Sequence, residues 1–347
     1  MTDQNRKKKL FNMDLHISVI ADFVNLFGDR FEISEVCMSA HAWCMGKTTS
    51  IPNHINIFNW KDLNQKMIDD FYAEYGHILE TFDGFICAHP NAFCMIFERY
   101  NKPIIMINSC RYDMPFCWSH NKEMLDEYHR CIKRLVDKKL LHVVSNNLFD
   151  KQYLYLGTGI QATHIPSLCL YTNMRYQPTR KEFLLYNEPQ EVDLPHHPLI
   201  IYKSQEFSQG YKWTDLQAFQ GIIYIPYEIS TMSKFEHFSA SIPMFFPSYD
   251  FLLKHTEIQI SAIDAYWGKS FATYKRESLS LLPRKTYLQY NDWINVFSKS
   301  SNNIFIYESY EHLYELLEKN QGKFIPEDRG EYIKDIISKW NFVLDNI

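Results

Sequence analysis

Short apolar runs alternate with amphipathic stretches along the first half of the chain. Five runs are typical of strands, namely DLHISVIADF, FEISEVCMSA, FDGFICAHP, KPIIMINSC and LLHVVSNN. Two longer segments, WKDLNQKMIDDFYAEYGHIL and NKEMLDEYHRCIKRLVDKK, carry apolar residues at helical spacing, and FCMIFERYN predicts a short helix. Strands that alternate with helices predict a mostly parallel sheet covered by helices on both faces.

The alternation stops in a polar, proline-containing stretch, and we predict a linker over residues 176–198. It then resumes with the predicted strands LIIYKS, GIIYIP, IPMFFPS and NIFIYES and the predicted helices KWTDLQAFQ, STMSKFEHFSAS and YEHLYELLEK. A long irregular region occupies residues 249–303, and EDRGEYIKDIISKWNFVLDNI predicts a closing amphipathic helix.

The predicted fold is therefore α/β, with two Rossmann-like doubly wound domains that face a central cleft. The first domain spans residues 1–175 and is expected to bind the acceptor of a transfer reaction. The second spans residues 199–328, and a closing helix over residues 329–347 is expected to pack back on the first.

Composition agrees with a globular chain of this size, since 46% of the 347 residues are apolar and 22% are charged. The net charge of −5 provides no broad basic face, which argues against nucleic acid as a partner. A basic run at Arg6 to Lys9 is short and terminal, so peripheral membrane contact stays open as an alternative to a solvated tail. No apolar run approaches the roughly 18 residues of a membrane span.

The apolar segment that follows the basic run is interrupted by Asp14, His16 and Asp22, so it does not match an export signal. All eight cysteines lie within the first 169 residues and none forms a CxxC pair. This usage indicates free thiols in a reducing compartment, and we predict a cytoplasmic protein. The motifs GxGxxG, HExxH, GxSxG and the Walker lysine loop do not occur, so the dehydrogenase, zinc-protease, hydrolase and NTPase classes lose support.

Open α/β sheets bind ligands at the carboxyl ends of their strands. Polar residues that directly follow the predicted strands are therefore candidates: Asp22, His89, Arg111 and Asp113 in the first domain, and Lys203, Ser204, Tyr227 and Glu228 in the second. Imidazole titrates near neutral pH, which makes His89 the first choice for a general base, with Asp113 as the alternative. Asp22 and Arg111 are expected to contact the acceptor. The alternative for His89 is a purely structural histidine, and the alternative for Arg111 is a structural ion pair.

Two glutamates, Glu228 and Glu236, are separated by seven residues and lie between GIIYIP and IPMFFPS. A carboxylate can accept hydrogen bonds from two ribose hydroxyls, and the N–H groups at a helix start, here around Ser230 and Thr231, favour a diphosphate. The alternative is that Glu228 caps the helix and Glu236 lies on its solvated face.

This arrangement resembles the donor-site motif of glycosyltransferases with the GT-B fold. The stretch FEHFSASIPMFFPS stands where that family often has LEAMACGVPVVAS, and IFIYESYEHLYELLEK and the Trp340 helix resemble its late elements. The resemblance covers residues 199–346 and departs from the family at Ser241-Ile242, where a small residue and glycine are usual.

The resemblance implies that Glu228 approaches the donor sugar and that Glu236 binds the ribose. It also implies a cation for the donor phosphates, for which Lys203 and Lys212 are candidates. A basic cluster in the long irregular region is a further source of cations: Lys269, Lys275, Arg276, Arg284 and Lys285.

The sequence thus predicts a glycosyltransferase that moves a sugar from a UDP- or GDP-linked nucleotide sugar to a glycan or other hydroxyl acceptor. No Asp-x-Asp occurs, which favours metal-independent transfer without a cofactor, and the glutamate pair favours retention over inversion at the anomeric carbon. The alternatives are a sugar-nucleotide epimerase or phosphorylase on the same fold, or a non-catalytic protein that binds a glycan or a partner.

Overall fold

The computed structural model of the chain describes residues 6–119, 121–186, 196–255, 258, 288–345 and 347. These residues form two compact units. The first contains the described residues up to 167 and those from 338 onward, and the second contains those from 168 to 337. Each unit has a parallel sheet of its own.

The first unit is built on six parallel strands in the order β2-β1-β3-β4-β5-β6. The strands are β1 (Lys8–Asp14), β2 (Phe31–Cys37), β3 (Gly84–Cys87), β4 (Ile104–Asn108), β5 (Leu141–Ser145) and β6 (Thr163–His164). Its α-helices before residue 168 are α1 (Ile17–Phe27), α2 (Gln65–Leu79), α3 (Cys94–Phe97), α4 (Phe116–Ser119), α5 (Lys122–Asp137) and α6 (Leu148–Thr158). Short 3₁₀ turns cover Ala42–Met45, Trp60–Asp62, Asn91–Phe93 and Glu98–Tyr100.

Asparagine is the N-cap residue of three of these helices. Asn64, Asn121 and Asn147 accept hydrogen bonds from backbone N–H groups in the first turns of α2, α5 and α6. Such caps satisfy donors that have no partner within the helix. The central strands, in contrast, are buried along their whole length. All five residues of β4 are buried, as expected for the centre of a parallel sheet.

The second unit is built on five parallel strands in the order β11-β10-β9-β7-β8. The strands are β7 (Phe183–Leu185), β8 (Ile200–Tyr202), β9 (Ile222–Ile223), β10 (Met244–Pro247) and β11 (Ile304–Tyr307). Among the described residues its helices are α7 (Lys203–Glu206), α8 (Trp213–Leu216), α9 (Met232–Ser239), α10 (Tyr249–Lys254), α11 (Ser298–Ser300) and α12 (Tyr310–Asn320), with a 3₁₀ turn at Leu170–Thr172 and a π-helical turn at Trp293–Phe297. The last helix of the chain, α13 (Gly330–Leu344), begins in this unit and ends in the first.

Both sheets reverse their strand order next to their first strand. In the first unit β1 lies between β2 and β3, and in the second unit β7 lies between β8 and β9. Such a reversal opens a crevice at the carboxyl ends of the strands, where doubly wound proteins bind ligands. The predicted fold class, two parallel doubly wound α/β sheets, is confirmed. Each sheet has a switch point, and the candidate ligand-binding residues are compared with its position.

The strand predicted over DLHISVIADF was placed too late. Strand β1 ends at Asp14, and α1 begins at Ile17, so Asp22 lies within a helix rather than after a strand. Ile20, Phe23 and Phe27 are buried at helical spacing on one face of α1. Polar and apolar residues alternate from Asn12 to Ser18, so the pattern of a strand continues across the boundary and hides it in the sequence.

The predicted linker over residues 176–198 contains β7, which pairs with both β9 and the edge strand β8 of the second sheet. This strand has only three residues, and polar neighbours on both sides obscure its pattern. Strand β6, with two residues, was not predicted. In the region 249–303, residues 256–257 and 259–287 lie outside the described part of the chain, and so does the basic cluster from Lys269 to Lys285.

The C-terminal half of α13 contributes to the first unit. The ring of Trp340 packs against Phe23 and Phe27, with centroids 5.4 and 5.8 Å apart. Arg30 donates a hydrogen bond of 2.8 Å to the carboxylate of Asp345. Across the part of the chain that the structure describes, neither α13 nor any other helix combines the length and apolar character that a membrane span requires.

All eight cysteines are free thiols, as predicted. Six are buried, Cys110 is half-buried and Cys44 is exposed. Burial raises the pKa of Cys94 and of Cys117, so both stay protonated at neutral pH. Five of the six buried thiols lie in the first unit and Cys169 lies in the second, and they serve mainly as small apolar groups in the core.

Candidate functional site

Glu236 is a buried carboxylate on α9 and the centre of a polar cluster in the second unit. Its side chain is only 6% exposed. The hydroxyl of Tyr171 donates a hydrogen bond of 2.6 Å to Oε1, and the indole of Trp213 donates to the same carboxylate. Burial raises the pKa of Glu236, while these two donors and the charge of Lys203 lower it. The alternative of a solvated surface glutamate is therefore wrong.

Lys203 lies over two tyrosine rings at the switch point of the second sheet. Its Nζ atom is 3.8 Å from the ring centroid of Tyr186 and 4.9 Å from that of Tyr211. The hydroxyls of these two tyrosines are hydrogen-bonded at 2.7 Å. Tyr186 directly follows β7 and Lys203 directly follows β8, so the strand ends position the cation. This charge acts on Glu236, and the structure thus brings these two predicted residues together.

Glu228 lies in the loop between β9 and α9 and is nearly buried. Its Oε1 atom accepts a hydrogen bond of 2.8 Å from the backbone N–H of Ile229. Thr231, and not Glu228, is the N-cap residue of α9. Ser230 and Thr231 are half-buried beside it, and Tyr227 is 48% exposed. The loop therefore offers backbone N–H groups and hydroxyls at the start of a helix.

The other donor-site candidates are surface residues. Ser204 is exposed in the short helix α7, and Lys212 is exposed at the start of α8. The backbone N–H of Lys212 donates to the carboxylate of Asp215 at 2.7 Å, which fixes the turn before Trp213. Both remain predictions as contacts to a donor.

In the first unit, His89 follows β3 and lies beside the switch point of that sheet. Its ring is 6.1 Å from the ring of His16 and 6.3 Å from the indole of Trp60. Burial, His16 and Arg111 lower the pKa of His89 to about 3, so its imidazole is neutral at physiological pH. His16 itself is exposed and precedes α1.

Asp14, the last residue of β1, is a titratable group that the sequence did not single out. It is fully buried, and burial raises its pKa to about 7 in spite of the opposing charge of Lys47. One oxygen accepts from the amide of Asn12 at 3.2 Å, and the other has no hydrogen-bond partner. The strand predicted across Asp14 and His16 concealed both residues, because residues inside a strand are not expected at a ligand site.

The remaining candidates of the first unit are buried, and Asp113 and Arg111 have partners within that unit. The hydroxyl of Tyr153 donates to Asp113 at 2.9 Å, and the guanidinium of Arg111 is 3.5 Å from the carboxylate of Asp150. Asp22 is buried on α1. Contacts of these three residues with an acceptor remain predictions. No group of three or more His, Cys, Asp or Glu side chains is placed to hold a metal ion within the described ranges.

Tyr171 and Trp213 are the partners of Glu236 that the sequence did not reveal. They lie 65 and 23 positions before Glu236, with Trp213 inside the predicted helix KWTDLQAFQ, and their rings pack edge to face at 5.5 Å. Trp213 follows the candidate Lys212, which is the only signal that pointed toward it. Tyr171 precedes the predicted linker and was assigned to the other domain.

No protein-family model matches the chain, and no curated protein sequence matches it significantly. Solved structures to which the chain is similar include the spinosyn rhamnosyltransferase SpnG, with 10% identity, a TM-score of 0.41, and 90% of this chain and 95% of that chain covered. The glycotransferase of kitacinnamycin has 11% identity and a TM-score of 0.40, over 90% of this chain and 95% of the other. SnogD from Streptomyces nogalater has 9% identity and a TM-score of 0.38, over 90% of this chain and 100% of the other.

If the Glu236 cluster binds a nucleotide, the variant Tyr171→Phe is expected to weaken that binding about threefold to tenfold at neutral pH, because the loss of a charge-assisted hydrogen bond leaves Glu236 less well positioned. The Tyr171 hydroxyl lowers the pKa of Glu236, so its removal shifts that pKa further upward. Affinity measured by isothermal titration as a function of pH should therefore decline at a higher pH than in the wild type as the solution is acidified. An unchanged pH profile would contradict a role of Tyr171 through Glu236.

Proposed function

We propose that the chain is a glycosyltransferase that transfers a sugar from a nucleotide-sugar donor, and that the second unit binds the donor. The observation that carries the proposal is the buried Glu236 carboxylate, held by Tyr171 and Trp213 and acted on by the charge of Lys203. A carboxylate suits the two hydroxyls of a ribose, a cation suits a diphosphate, and aromatic rings suit a nucleobase. These groups lie by the switch point of a doubly wound sheet.

The departing diphosphate is the group that most needs stabilisation in such a transfer. The loop from Glu228 to Thr231 leads directly into α9, so its N–H groups and the start of the helix favour an anion. Lys203 supplies positive charge, and Glu228 is proposed to approach the sugar. Exposed Tyr227 and Ser204, together with Lys212, are proposed to complete the donor site.

The acceptor is proposed to bind to the first unit near His89, with Asp22, Arg111 and Asp113 as further candidates. The lowered pKa keeps the imidazole of His89 neutral, so it can accept a hydrogen bond from an acceptor hydroxyl. A base with a pKa of about 3 is too weak for efficient in-line displacement at neutral pH. Retention rather than inversion at the anomeric carbon is proposed from the glutamate pair Glu228 and Glu236, as the family resemblance implies.

The test is binding and turnover with a panel of nucleotide sugars. Isothermal titration against UDP-, GDP- and CMP-sugars is expected to reveal at least one donor, and transfer to a hydroxyl acceptor should follow without added divalent metal and in the presence of EDTA. Conversion of the donor with no acceptor present would instead indicate an epimerase. A requirement for inorganic phosphate would indicate a phosphorylase, and binding without turnover would indicate a non-catalytic protein.

We also propose a cellular compartment for the protein. Eight free thiols, six of them buried, support a reducing compartment, for which we propose the cytoplasm. Fractionation of cells that express the chain without terminal tags tests this localisation directly. Recovery of the protein in an oxidising compartment would contradict it.

A further inference from the structure

Asp14 belongs to a polar cluster on one face of the first sheet. Asn12 lies beside Glu35 in the register of β1 and β2. Asp14 lies beside Cys37, two positions further along, so these four side chains are on the same face. Lys47, in the connection that follows β2, forms an ion pair with Glu35, and its charge also acts on Asp14. These five residues are the Asp14 cluster.

The Asp14 cluster contains more hydrogen-bond acceptors than donors. The amide of Asn12 donates to one oxygen of Asp14 at 3.2 Å. Three further oxygens are buried and accept no hydrogen bond from any residue that the structure describes, namely Oδ1 of Asn12, Oδ1 of Asp14 and Oε2 of Glu35. Asn12 and Asp14 are fully buried, where an acceptor without a donor is unfavourable. A proton on Asp14 reduces this deficit, because it turns Oδ1 into a donor.

The charges around Asp14 also favour a bound proton. Glu35 and Lys47 balance each other, so ionised Asp14 would leave one negative charge in excess within the cluster. Burial raises the pKa of Asp14 to about 7, although Lys47, the backbone N–H of His16 and the amide of Asn12 oppose this shift. Burial lowers the pKa of Lys47, while the charge of Asp14 raises it.

The other titratable groups on this side of the sheet are neutral near pH 7. Burial and the charge of Asp14 raise the pKa of the Cys37 thiol. Burial and the charge of His41 lower the pKa of His16, and the neighbouring His89 has a pKa of about 3. Asp14 is therefore the group of this set that changes its charge around neutral pH.

The chain that follows β2 is attached to the strand ends around the cluster. The backbone N–H of Met38 donates to the carbonyl of Asp14 at 2.8 Å, and that of Ser50 donates to the carbonyl of Cys37 at 2.7 Å. Residues 38–50, the 38–50 segment, thus begin and end at the carboxyl ends of β1 and β2. Lys47 lies between these two attachments and links the segment to the buried carboxylates.

We propose that the 38–50 segment is a proton-controlled cover at the switch point of the first sheet, which protonated Asp14 keeps closed and which opens when that proton is lost. Opening exposes Asp14 to water, where the ionised carboxylate is hydrated. The segment carries His41, whose charge acts on His16, so its opening changes access to the rings of His16 and His89. The inference does not depend on the proposed sugar transfer.

Hydrogen exchange of the full chain, followed by mass spectrometry, tests the proposal without a ligand. Protection factors at about pH 6 and about pH 8 report the opening equilibrium, because they are corrected for the intrinsic pH dependence of exchange. A closed form with an Asp14 pKa of about 7 and an open form with the ordinary value of 3.8 predict about tenfold lower protection of residues 38–50 at the higher pH. Helix α5 in the same unit is the internal reference, and its protection should change less than about twofold.

Three variants identify the group that titrates. Asp14→Asn has an N–H donor and no charge at either pH, so protection of the 38–50 segment should no longer depend on pH. Lys47→Met removes the cation that lowers the pKa of Asp14, so the fall in protection should move to a higher pH than in the wild type. Asp29→Asn is the matched control, because Asp29 is exposed in the same unit, and it should retain the tenfold change.

Equal protection of the 38–50 segment at both pH values in the wild type would overturn the inference. A pH dependence that persists in Asp14→Asn, that disappears in Lys47→Met, or that extends equally to α5 would overturn it as well. A segment that responds to pH in a protein without sugar transfer would support the inference and remove the proposed function. Sugar transfer by a protein whose segment does not respond would do the reverse.

Discussion

Replacement of Glu236 by alanine is expected to lower the affinity for the cognate nucleoside diphosphate about a hundredfold. Two charge-assisted hydrogen bonds to ribose hydroxyls together contribute about 3 kcal/mol, which corresponds to that factor. The variant also leaves the donors of Tyr171 and Trp213 without their acceptor. Isothermal titration with the nucleotide that the wild type binds measures the effect.

The Glu236→Ala variant needs controls because a buried group is removed. Glu236→Gln keeps the shape and one acceptor oxygen, and we expect a smaller loss of about tenfold. Glu315→Ala removes an exposed carboxylate from α12 in the same unit and should leave the affinity unchanged. Binding by Glu236→Ala at the wild-type level, with normal thermal unfolding, would show that this carboxylate does not contact the nucleotide.

Only part of the cluster around Glu236 could be predicted from the sequence. Its spacing from Glu228 and its place between two apolar runs were visible in the sequence, and the structure adds that the carboxylate is buried. The partners Tyr171 and Trp213 were not visible, because a hydrogen bond between residues 65 positions apart depends on how the chain folds back on itself. Sequence patterns report the face that a residue presents, and they do not report which distant residue meets it.

In the first unit, the sequence pattern located one strand end that carries candidate residues and missed another. The strand that precedes His89 is short, apolar and followed by a proline, so its end could be located to within two residues. Asp14 and His16 lie at an equivalent strand end, but polar and apolar residues alternate across that end, so the pattern of a strand continues into α1. Only the change of period from two to 3.6 residues further along α1 marks the boundary.

Replacement of Gly157 by alanine is expected to destabilise the first unit by about 3 kcal/mol, although glycine to alanine within a helix usually stabilises by up to about 1 kcal/mol. Gly157 lies near the end of α6, and a Cβ atom there would come within 2.1 Å of the hydroxyl oxygen of Tyr112. Tyr112 is fully buried, and its hydroxyl is hydrogen-bonded to His129 at 3.0 Å. Its ring also packs against Tyr153, the residue that donates to Asp113, so the overlap cannot be relieved by a simple rotation.

Urea unfolding of the full chain, followed by a probe of the first unit, measures the change at Gly157. Gly76→Ala is the matched control on α2, since its Cβ would meet the ring of half-buried Tyr72 at 3.1 Å, a much smaller overlap than the 2.1 Å at Gly157. We expect its free energy of unfolding to stay within about 1 kcal/mol of the wild type. The double variant Gly157→Ala with Tyr112→Phe should recover part of the loss, because it removes the overlapping oxygen. Equal stability of the Gly157 and Gly76 variants would show that Tyr112 can yield, and that the contact beside Asp113 is not tightly packed.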